Sequence, residues 1–207
     1  MTARESYLSA AHAFVDLVDR LPDYGWGREG LGAWDLRELV GHASTAGLSA
    51  VITAVDRPAS SEMIGSPERY YAFGRTLDPE VYRAAVAAAT AGAREQGEAL
   101  GEHPAVVVRG LLEEVTAKLA RVLDDPLIES AAGGMRLNAW LPTRTFELAM
   151  HSLDIASSAA VPSRVPEVVL ADAAALAARV GAETGQAVTV LRALTGRARL
   201  PSDFSVL

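Results

Sequence analysis

Apolar residues recur at three- and four-residue intervals over most of this chain, with polar residues between them. That is the period of an α-helix laying one face on a core. Leu8, Ala11, Val15 and Val18 predict a first helix from about Ala3 to Leu21, stopped by Pro22. Asp35 with Glu38 three residues on is an acidic variant of the capping box, and it opens a second helix to about Val55. The inner face of that helix reads Leu36, Leu39, Val40, Ala43, Gly47 and Val51. Asp78-Pro79 pairs a cap with a first-turn proline and opens a third, Ala-rich helix to about Leu100. A fourth, about Pro104 to Leu123, carries Val108, Leu112, Val115 and Leu119 at helical spacing and ends at Asp124-Asp125-Pro126.

The breaks in the pattern are equally informative. Residues 23–34 hold four glycines with Trp26 and Trp34, a loop expected to pack its aromatics on the body. Between Asp56 and Asp78 lies a polar link whose Tyr, Phe and Arg content suits either a segment folding over a cleft or a connector with a short helix in it. Leu127 to Leu137 predicts a small β-hairpin turned at Gly133-Gly134. Trp140 to Thr143 then leads into a fifth helix reaching about Ala159. Two further helices follow Pro162 and Pro166, near Glu167 to Ala182 and Gln186 to Leu194. The expectation is a mainly α protein: a helical bundle over 1–160 and a C-terminal extension, 161–207, packed on it.

Within the fifth helix Arg144, Glu147, His151 and Asp154 follow one another at spacings of three, four and three. At about 100° per residue they fall within roughly one quadrant. Phe146, Met150 and Leu153 flank this stripe on one side and Leu148 and Ile155 on the other, so it points inward. Buried polar groups need partners. Glu147 and His151, one turn apart, can serve one transition metal such as zinc, or simply bond to each other across a bundle. A third ligand must come from elsewhere, and His42, at the edge of the second helix's apolar face, is the candidate. His12 suits a surface or packing position, and His103, before Pro104, a turn.

Composition narrows the chemistry. The 207 residues are 50% hydrophobic but only 6% aromatic, a core of Ala, Leu and Val that favours helices. A net charge of −7 with Lys118 as the only lysine leaves no basic cluster for nucleic acid. No apolar run spans a membrane and no signal core follows Met1, so the expected location is the cytoplasm. With no cysteine, any thiol chemistry must use a thiol from solution.

Trp34-Asp35 through Val40-Gly41-His42, Arg144 through Glu147, His151 and Asp154, and the closing Leu194-Thr195-Gly196-Arg197 together resemble the mycothiol-dependent maleylpyruvate isomerase family, within the DinB-like metal-binding helical bundles. The resemblance implies a DinB-like four-helix bundle, here with a small hairpin and additional C-terminal helices. It implies a divalent metal, typically zinc, carried by His42, Glu147 and His151. It also implies a small thiol, mycothiol, as cosubstrate, with a small electrophilic molecule as substrate. The thiolate would add to a cis double bond conjugated to a carbonyl, permit rotation and leave, or displace a leaving group and stay attached. Asp154 and Arg144 would then orient His151 and Glu147, or form a structural ion pair. Arg69, Arg75 and Arg136 are candidates for holding a substrate carboxylate. The alternative is a bundle that binds metal or a small molecule without catalysis.

Overall fold

The computed structural model describes all residues, 1–207, and is helical apart from one hairpin. Helix α1 (Ala3–Asp19) starts at a capping box in which the Glu5 N–H donates to Thr2 and the Thr2 N–H to Glu5. Helix α2 (Leu36–Ser44) starts at the expected box: the Glu38 N–H donates to Asp35 Oδ1 at 2.8 Å, and the Asp35 N–H returns to Glu38 Oε2 at 3.0 Å. The second predicted helix runs on, but not as one uniform α-helix. Thr45–Ser49 form a π turn before α3 (Ala50–Val55) resumes. A π turn leaves backbone carbonyls without their usual partner, and two side chains take them up. Arg144 Nη1 donates to the Ala46 carbonyl at 3.1 Å, and the Tyr7 hydroxyl to the Gly47 carbonyl at 2.8 Å. Gly47 is small because a Cβ there would lie 2.3 Å from Leu148.

The link contains α4 (Pro67–Phe73), capped by Ser66 with a proline in its first turn. Arg69–Glu183 at 3.3 Å and Glu68–Arg179 at 3.8 Å strap it to a later helix. Helix α5 (Pro79–Ala99) is exposed over its first half and buries Ala93 and Gly97 where it meets α2. A Cβ on Gly41 would sit 2.4 Å from the backbone of Gln96 and Gly97, so the two helices touch backbone to backbone. Helix α6 (Pro104–Arg121) buries Val108, Leu112, Val115 and Leu119 as its spacing predicts.

Strands β1 (Leu127–Ser130) and β2 (Gly133–Arg136) form the antiparallel hairpin, with Ser130 paired to Gly133. Its turn is Ala131-Ala132 rather than Gly133-Gly134. The glycines serve β2 instead, because Gly133 has φ +107° and a Cβ on Gly134 would lie 1.9 Å from the Ser61 carbonyl oxygen. The first part of the link runs beside the hairpin, with the Met63 N–H donating to the Gly134 carbonyl at 2.8 Å.

The fifth predicted helix starts earlier than its sequence suggests: α7 spans Leu137–Ala159 and carries Pro142 inside. A proline in a helix interior costs about 3 kcal/mol. Burial of Leu137, Trp140 and Leu141, each about 1.5–3 kcal/mol, outweighs it. The Leu137 N–H donates to the Pro126 carbonyl and the Asn138 N–H to Asp125 Oδ1, so the start is capped from the α6–β1 connection. Helices α8 (Glu167–Glu183) and α9 (Ala187–Leu194) close the chain. Val169, Ala173, Leu176 and Val180 of α8 join the same buried cluster as α1, α2, α6 and α7. No helix is long and apolar enough to cross a membrane.

Candidate metal centre

Helix α7 turns its polar stripe toward α2, with Phe146, Leu148 and Ile155 of the flanks buried but Met150 exposed. His42, Glu147 and His151 each bring a ligand atom within 4.8 Å of the others, and no fourth His, Asp or Glu joins the group. The His42 and His151 rings meet edge to face at 5.2 Å. Glu147 Oε2 lies 3.4 Å from His151 Nε2, while His151 Nδ1 lies 3.4 Å from Asp154 Oδ2. Asp154 therefore stands behind His151, on the side away from Glu147. Arg144 Nη2 is 3.9 Å from Glu147 Oε1. The side chains of His151 and Glu147 remain 12% and 21% exposed, so the centre is half-buried but reachable.

Three residues that the spacing argument did not single out complete the surroundings. The Tyr71 hydroxyl, from α4, donates to Glu147 Oε1 at 2.9 Å and also lies 3.0 Å from the Thr143 carbonyl. Trp34 lies against the His42 ring at 4.5 Å and donates its indole N–H to the Thr90 carbonyl on α5. Gln96 on α5 has a side-chain contact to His42. The aromatic content of the link and the two tryptophans of the loop were the available signals, and neither says which ring reaches which ligand.

The electrostatics divide the two histidines. Burial, followed by the neighbouring His151, pushes His42 below the ordinary imidazole range. Burial also opposes charge on His151, but its contacts with Asp154 and Glu147 outweigh that and raise it to about 9. Burial would raise Glu147, yet His151, Arg144 and Tyr71 together bring it down to about 2. For Tyr71, burial and then the charge of Glu147 push the hydroxyl well above the usual phenol range. The centre thus pairs a carboxylate favoured in its ionised form with one imidazole favoured neutral and a second whose two nitrogens each lie 3.4 Å from a different carboxylate.

The other sequence candidates lie elsewhere. Arg69 pairs with Glu183, Arg136 Nε lies 3.5 Å from Glu62, and Arg75 donates to the Ser205 carbonyl at 3.4 Å. All three serve surface contacts because each belongs to a segment bound to the hairpin, α8 or the C-terminal tail. His12 is exposed on the outer face of α1, and His103 caps α6.

The family model of the mycothiol maleylpyruvate isomerase N-terminal domain matches residues 7–156. The chain belongs to this family. The matched span contains His42, Glu147, His151 and Asp154, and stops before α8. No curated protein and no solved structure matches the chain significantly. In this member of the mycothiol maleylpyruvate isomerase family the donor set suits a divalent ion. His42, Glu147 and His151 each bring a ligand atom within 4.8 Å of the others, and the Glu147 carboxyl, held at about 2, supplies an anionic oxygen beside two imidazole nitrogens.

Proposed function

We propose that this protein is a metal-dependent enzyme that uses a low-molecular-weight thiol, mycothiol by its family's name, to isomerise or S-transfer onto a small electrophilic substrate. The observation that carries the reading is a group of two imidazoles and one carboxylate with no fourth protein ligand. Structural zinc sites are closed by four protein ligands, whereas catalytic ones keep a position open.

His42, Glu147 and His151 would hold the ion, zinc being the simplest choice for this donor set. Bound there, it would favour thiolate over thiol and so supply a nucleophile near neutral pH. The protein's own groups prepare the place. Tyr71 fixes Glu147 through one oxygen and leaves Oε2 facing His151. Asp154 Oδ2 stands 3.4 Å from His151 Nδ1, where an outer partner of a ligating histidine would stand, leaving Nε2 toward the centre. Arg144 holds positive charge near Glu147, while the Trp34 ring packs against that of His42 at 4.5 Å. No cysteine competes for the open position.

The test is thiol consumption by zinc-loaded protein given mycothiol and a small cis-enone or other electrophile. Turnover that Glu147→Ala abolishes while leaving the helical fold intact is the expected result. Turnover unaffected by that substitution would overturn the reading. A fold lost on Glu147→Ala alone would instead favour the ion as a structural element.

A further inference from the structure

The closing Leu194-Thr195-Gly196-Arg197 takes no part in the metal centre. It ends α9: Gly196 has φ +70°, its N–H donates to the Ala193 carbonyl at 3.0 Å, and the Arg197 N–H reaches the Arg192 carbonyl at 2.8 Å. Glycine adopts that left-handed turn without penalty. The chain then returns to α8, where a Cβ on Gly181 would sit 3.1 Å from Val206. Between α8, α9 and this returning segment lies a cavity of about 370 Å³. Ala177 and Ala178 of α8, Val190 and Leu194 of α9, and Leu200 and Phe204 beyond the turn are among its walls.

The lining excludes most ligands. Nine of the ten wall residues are apolar, and the tenth, Ser205, is already engaged. Its hydroxyl accepts the Leu207 N–H at 3.1 Å and donates to the Leu207 carbonyl at 3.0 Å, while its carbonyl accepts from Gln186 Nε2 at 3.2 Å. A peptide or a sugar placed here would bury polar groups without partners, which is costly. An alkyl chain carries no such cost and gains from leaving water. The rim has the opposite character. Residues 187–207 carry Arg192, Arg197 and Arg199 against Asp203 alone, in a chain whose net charge is −7. All three arginines are exposed, and none takes part in the chain's ion pairs. They flank Leu194 and Leu200, which both line the cavity.

We propose that this cavity binds the alkyl chain of a single-chain amphiphile whose anionic head sits among Arg192, Arg197 and Arg199. Two separate observations select that ligand. The apolar lining calls for a chain without polar atoms, and the unpaired guanidinium groups set the sign of the head. Every wall residue lies beyond residue 156, outside the span that the family model matches, and none belongs to the metal centre or its partners. The proposal therefore stands apart from the thiol chemistry.

The test is calorimetric titration of the full chain with decanesulfonate below its micellar concentration, in zinc-loaded and chelator-stripped protein alike. A single molecule per chain should bind in both forms. Ethanesulfonate, which has the head without the chain, should not bind, and decyltrimethylammonium, the same chain with a cationic head, should bind about tenfold more weakly. Ala178→Leu fills the cavity from its half-exposed floor and should weaken decanesulfonate by about tenfold or more. Ala174→Leu, at an exposed position on the same floor, repeats the test should Ala178→Leu lower the denaturant midpoint. Arg197→Glu/Arg199→Glu should abolish the preference for the anionic head. Absence of saturable binding to wild type overturns the proposal, as does wild-type affinity in a folded cavity-filling variant or an unchanged head preference in the arginine variant. Binding that requires zinc overturns it too, since the probe then sits at the triad. Capture by phosphatidylglycerol vesicles without binding of monomeric decanesulfonate also overturns it, because the exposed Val188 and Leu191 of α9 would then be meeting a bilayer.

Discussion

The Tyr71 hydroxyl donates to Glu147 Oε1 at 2.9 Å, so a residue of the link between α3 and α5 fixes a carboxylate on α7. The contact joins two segments 76 positions apart. It holds because α4, which carries Tyr71, is strapped to α8 by two ion pairs and packs Tyr71 on Phe146 at 5.5 Å. Removing the hydroxyl leaves that packing in place. Tyr71→Phe should therefore retain the fold and weaken metal binding by about tenfold, the effect typical of losing an outer partner of a ligand. Competition with a chromophoric chelator measures it, and unchanged affinity would show that Tyr71 only packs.

Asp154 acts on the other side of His151. Asp154→Ala should also weaken metal binding by about 10–100-fold while leaving one ion per chain at saturating zinc. The ratio distinguishes positioning from ligation, because loss of a true ligand lowers the stoichiometry itself.

The metal-free protein carries a pH signature. The folded-state value for His151 is about 9, raised from 6.5 against the opposition of burial. A raised group stabilises fully below its unfolded value and loses that contribution as pH rises through the folded one. Denaturation midpoints of the stripped protein should hence decline between about pH 6.5 and 9 through this group. A metal must displace the same proton, so apparent affinity should rise over that window. A His151→Ala variant that shows the same decline would locate its origin elsewhere.

Gly41 neighbours His42 and lets α5 approach α2. A Cβ there would meet backbone atoms of Gln96 and Gly97 at 2.4 Å, which cannot swing aside as a side chain can. Gly41→Ala should cost about 1–3 kcal/mol, read as a lower denaturant midpoint. It should also loosen the α5 side of the centre, where Gln96 and Thr90 stand.

Local pattern revealed much of this arrangement. The i, i+3, i+4 spacing of Arg144, Glu147, His151 and Asp154 is a property of one helix, so a single segment displays it. The Asp35–Glu38 box is equally local, as is the apolar face that places His42 near its edge. What escaped depends on chain paths that no local period encodes. Tyr71 reaches Glu147 only because α4 docks on α8, and Trp34 reaches His42 only because its loop folds back under α5. The start of α7 was hidden by Pro142, whose local cost is overridden by burial of Trp140 and Leu141 on more distant neighbours. The π turn at Thr45–Ser49 has no sequence period of its own; Arg144 and Tyr7, both distant, stabilise it.

The central claim is that His42, Glu147 and His151 form one metal site, and elemental analysis of untagged protein tests it most directly. Wild type should carry about one divalent ion per chain, and a His42→Ala/His151→Ala variant essentially none. Adding mycothiol to the metallated wild type should perturb the ion's environment, visible in the optical spectrum after cobalt replaces zinc. If neither protein holds metal even after zinc is supplied, the stripe on α7 is a packing device and the account of the centre is wrong.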